Sequence, residues 1–159
     1  MAVAPRPGEV ALPFDPAEAG ALTLLPIGRV RSPWSRGNCP RNLREARESG
    51  GDFTLEIDLA FRPGLQGLSP GDPVILLYWT SDARRDLVVQ SPAHRSGPAG
   101  VFALRSPARP NPVAVAVTRI TTLDAGAGRV GVEAIDAFDG TALLDIKPFL
   151  ASVDQPPPG

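Results

Sequence analysis

Between Gly100 and Pro112 the chain reads Gly100-Val101-Phe102-Ala103-Leu104-Arg105-Ser106-Pro107-Ala108-Arg109-Pro110-Asn111-Pro112. Two guanidinium groups, a hydroxyl and a carboxamide thus share one proline-stiffened segment. Arginine grips a carboxylate or phosphate through two parallel hydrogen bonds, whereas Asn111 and backbone carbonyls can read amino groups. Proline fixes φ, which lowers the entropy cost of holding these groups in place. The set suits a nucleoside ligand bearing an amino acid; by composition alone it reads equally as a stiff solvent loop. A second run, Asp136-Ala137-Phe138-Asp139-Gly140-Thr141-Ala142-Leu143-Leu144-Asp145-Ile146-Lys147-Pro148-Phe149, places Asp136, Asp139, Asp145 and Lys147 near one another around an Asp-Gly turn. A carboxylate there could take ribose hydroxyls or an α-ammonium, and Lys147 a carboxylate or phosphate. The alternative is a turn with a solvated ion pair.

Rigid elements must carry these segments. Nineteen prolines and sixteen glycines interrupt every long helical pattern, which favours short strands and defined turns. Phe53, Leu55, Ile57 and Leu59 alternate with Thr54, Glu56 and Asp58, the period of a half-buried strand. Further strands are expected at residues 22–30, 74–79, 101–104, 113–122 and 129–137, each bounded by Gly, Pro or Asp. Six or so strands at this spacing predict a mainly β fold: a small single-sheeted antiparallel β-barrel with a short helix and long loops. Residues 124–128 read as a hairpin loop that pairs its flanking strands antiparallel. Residues 42–48 read as the helix, with Asn42 as its cap and Glu45 three positions on. Pro70-Gly71 marks a tight turn, and residues 82–100, with Arg84, Arg85, Asp86, His94 and Arg95, a long polar loop. Residues 1–20 and 154–159 read as flexible ends around a domain at 21–153.

At 159 residues there is room for one core, so a single fold carries whatever the chain does. A formal charge of -1 argues against a strongly electrostatic nucleic-acid binder, although a local patch could exist. Lys147 is the only lysine among the cations; arginine suits bidentate contacts and base stacking, and a GC-rich genome explains the bias as well. With Cys39 the only cysteine and His94 the only histidine, an internal disulfide is excluded and no metal site is expected. His94 reads as a surface residue and Cys39 as an inert thiol. Tyr78 and Trp79 could stack on a base, but at the end of an apolar strand they read first as core. No apolar run approaches the length that spans a bilayer, and a cytoplasmic protein without membrane contact is expected.

Pro26-Ile27-Gly28, Gly100-Val101-Phe102, the Arg105 to Pro112 block, Asp139-Gly140-Thr141 and Asp145-Ile146-Lys147-Pro148 occur in that order. Together they resemble the signatures of the YaeB-like (TsaA-like) family, over residues 24–154. The resemblance implies a single-sheeted β-barrel that binds S-adenosyl-L-methionine, forms a homodimer, and methylates the exocyclic nitrogen of N6-threonylcarbamoyladenosine beside the tRNA anticodon. A barrel of this kind needs no glycine-rich dinucleotide loop, so the lack of one does not count against the cofactor. Carried onto this sequence, the resemblance makes Phe102, Ala103, Arg105, Ser106, Arg109, Asn111 and Pro112 one cofactor-binding wall. Asp139, Thr141, Leu143 and Lys147, with Asp136 and Asp145, form the other. Pro40-Arg41-Asn42 matches a further signature in part, and Arg41, Arg84 and Arg85 are candidates for the substrate. Four departures stand out: Gly71-Asp72-Pro73 replaces Phe-Ser-His, and Leu104, Ala114 and Ala142 replace a threonine, a glycine and a proline. Loss of that histidine bears on the methyl acceptor more than on the cofactor.

Methyl transfer from a sulfonium needs chiefly an acceptor lone pair held in line with the methyl group. An amide-like nitrogen is a poor nucleophile, so a carboxylate, Asp136 or Asp145, is expected to draw off its proton. Two other functions fit the same residues: a methyltransferase with a different acceptor, and a sensor that binds the cofactor without turnover.

Overall fold

The computed structural model describes residues 4–20 and 22–159. Residues 1–3 of the expected flexible end, and the expected domain boundary at residue 21, lie outside the described residues. The strands run β1 (Val10–Ala11), β2 (Gly28–Arg31), β3 (Thr54–Ile57), β4 (Pro73–Trp79), β5 (Leu87–Gln90), β6 (Ala99–Gly100), β7 (Val113–Asp124), β8 (Arg129–Val132) and β9 (Ala142–Pro148). Helix α1 (Leu43–Ser49) lies between β2 and β3, and α2 (Ala151–Asp154) follows β9. Short 3-10 helices occupy Leu59–Leu65 and Val101–Ala103.

The chain divides into two units. One comprises Leu24–Trp79 and Val115–Gly159, the other Thr80–Ala114 with the residues before Leu24. In the first unit, six strands close a barrel in the order β2-β3-β8-β7-β4-β9, the mainly β antiparallel fold expected from the sequence. Every second side chain of β3 and β4 points inward, where Leu55, Ile57, Val74, Leu76 and Tyr78 meet Val30, Ile120, Val130 and Leu143. This is the alternation that a closed small barrel filled by side chains requires. The hairpin joining β7 to β8 forms as expected: Asp124 pairs with Arg129, and Asp124 Oδ1 accepts from the Ala127 N–H at 2.9 Å. Helix α1 also forms where Asn42 indicated it, the Asn42 side chain accepting from the Glu45 N–H at 3.0 Å.

Several strand boundaries differ from expectation. Residues 22–27 lie outside any strand; Pro26 brings no N–H to a ladder, and Leu22, Leu24 and Leu25 are exposed. Residues 101–104 form a 3-10 turn and not a strand, closed by the Leu104 N–H on the Val101 carbonyl at 3.2 Å, with only Val101 buried. Strand β8 stops at Val132, beyond which the Glu133 N–H turns to Arg119 O and the Ala134 N–H to the Thr118 hydroxyl. The expected 82–100 loop contains β5 and β6; the Asp139-Gly140 turn and the Asp145–Lys147 ion pair both form, with β9 following the turn and carrying the pair. Strand β9 is irregular: Tyr78 faces Leu143 but Leu77 faces Asp145, so Leu144 is an extra residue, a bulge. The bulge shifts the phase of the strand, and Asp145 and Lys147 pair with Leu77 and Ile75, the residues of β4 that face away from the core.

In the second unit β1, β5 and β6 form a three-stranded sheet. Glu9 fastens its edge. The carboxylate accepts from the Arg6 side chain at 2.7 Å, from the Arg6 N–H at 2.9 Å and from the Ser91 N–H at 3.5 Å. The Arg6 guanidinium, then the Arg6 N–H, hold the Glu9 carboxyl down to about 2. A depressed folded-state value contributes stability that is complete above the ordinary carboxylate range and is lost as pH falls toward 2. The Ser91 amide resonance is therefore expected to titrate with a midpoint near 2 in an NMR pH series. A midpoint at the ordinary carboxylate value would contradict the contact.

Candidate functional site

Residues 101–112 belong to the three-stranded unit, and their prolines dictate how they are held. Pro107, Pro110 and Pro112 donate no hydrogen bond, so the loop cannot join a ladder and its carbonyls need partners from elsewhere. Side chains supply them. Arg109 Nη2 donates to the Val101 carbonyl at 2.6 Å, and Arg85 Nε to the Pro110 carbonyl at 2.7 Å. The Gln90 amide donates to the Ala108 carbonyl, and the Thr80 hydroxyl and N–H both reach the Pro112 carbonyl at 3.0 Å. Arg85 Nη2 also meets Asn111 Oδ1 at 3.4 Å and Pro16 O at 3.5 Å.

With its carbonyls fixed, the loop displays a defined outer surface. Phe102 is 89% exposed on the 3-10 turn, next to exposed Ala103, and Arg105 and Asn111 are exposed further along. Ser106 Oγ accepts from the Ala108 N–H at 3.3 Å, while Pro112 is fully buried and anchors the exit into β7. A bare aromatic face, a guanidinium and a carboxamide match the ring, carboxylate and amino groups of an amino-acid-bearing nucleoside.

The carboxylates of the second run belong to the barrel unit. The buried Tyr78 hydroxyl donates to Asp136 Oδ1 at 2.8 Å. Burial, and then the Asp136 charge, pushes the half-buried Cys39 thiol up to about 11, which leaves it without nucleophilic character near neutrality. Asp139, in the turn before β9, accepts from the Ser32 N–H at 3.2 Å and lies 3.5 Å from Arg31, which is itself paired with Glu56 at 2.9 Å. Thr141 closes that turn through its N–H on the Phe138 carbonyl at 3.1 Å, and its own carbonyl accepts from Val30 at 2.8 Å. Leu143 is wholly inside the barrel. Asp145 and Lys147 pair at 2.8 Å on the outer face of β9, and the Asp145 carboxylate raises the Lys147 pKa above its ordinary value.

The three candidate substrate residues are dispersed. Arg41 is exposed just before α1; Arg84 forms a two-pronged pair with Asp86 at 2.8 and 2.7 Å; Arg85 holds the proline loop. The Arg84 guanidinium also keeps the Asp86 carboxyl below its usual range. His94 sits exposed in the turn between β5 and β6. Sequence reasoning did not single out Gln90, an amide at the end of an apolar strand, nor the link between Tyr78 and Asp136, 58 positions apart. It also missed a cavity of about 670 Å³ in the barrel unit, walled by Ile57, Phe61, Leu65, Ile146 and Phe149 with Asp145 among its lining. Among the described residues no cluster of His, Cys, Asp or Glu is placed to hold a metal ion, and no helix is long and apolar enough to cross a membrane.

Comparison with known proteins adds relatives to this geometry. A protein of Rhizobium radiobacter named "Probable S-adenosyl-L-methionine-binding protein VirR" is 37% identical over 144 residues, 90% of this chain and 78% of its own. The tRNA (adenine(37)-N6)-methyltransferase of Mus musculus is 30% identical over 145 residues, 87% of this chain but 33% of its own. A crystal structure of TrmO from Pseudomonas aeruginosa superposes with a TM-score of 0.68 at 32% identity, over 89% of this chain. The chain spans 57% to 62% of the solved structures it matches. The family model that matches is the tRNA-methyltransferase O N-terminal domain, over residues 29–155. This corrects the YaeB-like (TsaA-like) assignment read from the signatures, because the matching family model and the superposing crystal structures are those of tRNA-methyltransferase O. The chain belongs to the tRNA-methyltransferase O N-terminal domain family.

Proposed function

We propose that this chain binds S-adenosyl-L-methionine and methylates the exocyclic nitrogen of N6-threonylcarbamoyladenosine next to the tRNA anticodon, working as a cytoplasmic homodimer. The observation that carries the reading is that the family match runs through the braced loop of residues 101–112, whose exposed groups fit this cofactor. Phe102 offers a face to the adenine, Arg105 and Arg109 address the carboxylate, and Ser106, Asn111 and the backbone around Ala103 and Pro112 address its amino and hydroxyl groups. Asp139, Thr141, Leu143 and Lys147, on the barrel unit, are the further residues that the family signatures assign to the cofactor. Of the candidate substrate residues, exposed Arg41 is the one to clamp the carboxylate of the modified adenosine, since Arg84 and Arg85 are engaged by Asp86 and by the proline loop.

When bound, the cofactor supplies an electrophilic methyl group on a sulfonium. The residues of this chain position and manage a proton. Tyr78 fixes one oxygen of Asp136, which orients the carboxylate to receive the proton from the acceptor nitrogen. Asp145, already paired with Lys147, is the second choice for that role. The loop claim and the carboxylate claim stand on different units and are tested by separate variants.

The test is mass spectrometry of tRNA nucleosides from a strain lacking the gene. The methylated threonylcarbamoyl nucleoside is expected to vanish and to return on complementation; its persistence would reject this acceptor. Gly71-Asp72-Pro73 standing where the signature has Phe-Ser-His favours a methyltransferase with another acceptor as the second reading. Cofactor binding without turnover on any tRNA would leave the sensor function.

A further inference from the structure

Gln90 is an amide where a hydrophobe would be expected. It ends β5, whose sequence is Leu-Val-Val-Gln, and it is 7% exposed. A buried carboxamide costs folding free energy unless its hydrogen bonds are made, so its presence calls for a partner that needs it. That partner is the Ala108 carbonyl, directly after Pro107, which receives the Gln90 N–H. Arg109 and Arg85 hold the carbonyls of Val101 and Pro110 on either side.

We propose that Gln90 is a positioning residue for the cofactor loop: its buried amide pins the centre of residues 101–112, so that Phe102, Arg105 and Asn111 are presented in a fixed arrangement. This rests on the reading that the loop binds S-adenosyl-L-methionine. Gln90 touches no ligand; it acts through the loop. Without the pin, the ligand must order the loop itself, and affinity falls by that cost.

The discriminating variant is Gln90→Glu, which keeps the shape and exchanges the donor for a carboxylate facing a carbonyl oxygen. Burial and the missing donor raise that carboxyl's pKa, and protonation restores an O–H that can donate to Ala108. Calorimetry with S-adenosyl-L-methionine is expected to show binding about 10- to 100-fold weaker than wild type at pH 8, recovering toward wild type at pH 5.5. Wild-type affinity changes little over that range, and Gln90→Leu stays weak at both values. Hydrogen exchange of the 101–112 peptide is expected to be faster in Gln90→Leu than in wild type. Should Gln90→Leu fail to fold, the pH series on Gln90→Glu carries the test within one protein. Equal affinities with unchanged loop exchange would overturn the proposal. A wild-type chain that takes up no S-adenosyl-L-methionine would overturn the cofactor reading instead, and loop exchange in the Gln90 variants then decides the pin alone.

Discussion

Replacing Arg105 with alanine is expected to weaken S-adenosyl-L-methionine binding by about 100-fold or more, with the thermal midpoint nearly unchanged. Arg105 is exposed on the braced loop, so its truncation removes a contact from the ligand without opening a core cavity. A two-pronged hydrogen bond to a carboxylate is roughly twice as strong as a neutral one, and losing it leaves the ligand's charge without its partner. Arg105→Lys retains charge but loses the planar fork, and should fall between the two. Lys147→Ala is expected to impair binding as well, through the barrel unit, by removing the cation paired with Asp145. Calorimetry on the three variants decides it; wild-type affinity in both Arg105→Ala and Lys147→Ala would reject the assigned site.

The largest loss of stability is expected from Gly28→Ala. Gly28 pairs with Ile57 on one side and Leu143 on the other, at the seam where β2 joins β3 and β9. A Cβ built there would overlap the Glu56 carbonyl oxygen and lie 2.9 Å from its carbon. Backbone cannot yield as a flexible side chain can, so two barrel strands would have to separate. A loss of about 3 kcal/mol is expected in urea unfolding. A change within about 0.5 kcal/mol would show that the seam tolerates a side chain.

How legible these features were depended on the distance over which each is determined. The cap of α1 is local: Asn42 and Glu45 declare it by type and spacing. So is the alternation through Thr54–Ile57, because each inward residue answers to the same barrel interior. The Pro26-Ile27-Gly28 signature was visible, but the reason for its glycine lies in Glu56, on a strand closed only in three dimensions. Residues 101–104 look like a strand because Val, Phe and Leu favour one, yet only Val101 is buried and the chain must turn into the proline loop. The loop's own chemistry could be read from Arg105, Ser106, Arg109 and Asn111. What holds it could not, since Gln90, Arg85 and Thr80 come from earlier in the chain and betray nothing by spacing. Asp136 drew notice as a carboxylate; its phenolic partner Tyr78 reads as ordinary core.

The extra residue at Leu144 makes the length of the last barrel strand a functional variable. A strand that kept Leu144 but ran straight would carry the alternation on from Leu143, so Asp145 and Lys147 would enter the barrel interior while Ile146 faced water; deleting Leu144 leaves Leu143, Asp145 and Lys147 opposite Tyr78, Leu77 and Ile75 as they are. Deletion of Leu144 should therefore be tolerated where insertion of a residue beside it is not. Tolerance to indels mapped across Ala142–Pro148 would display that asymmetry directly.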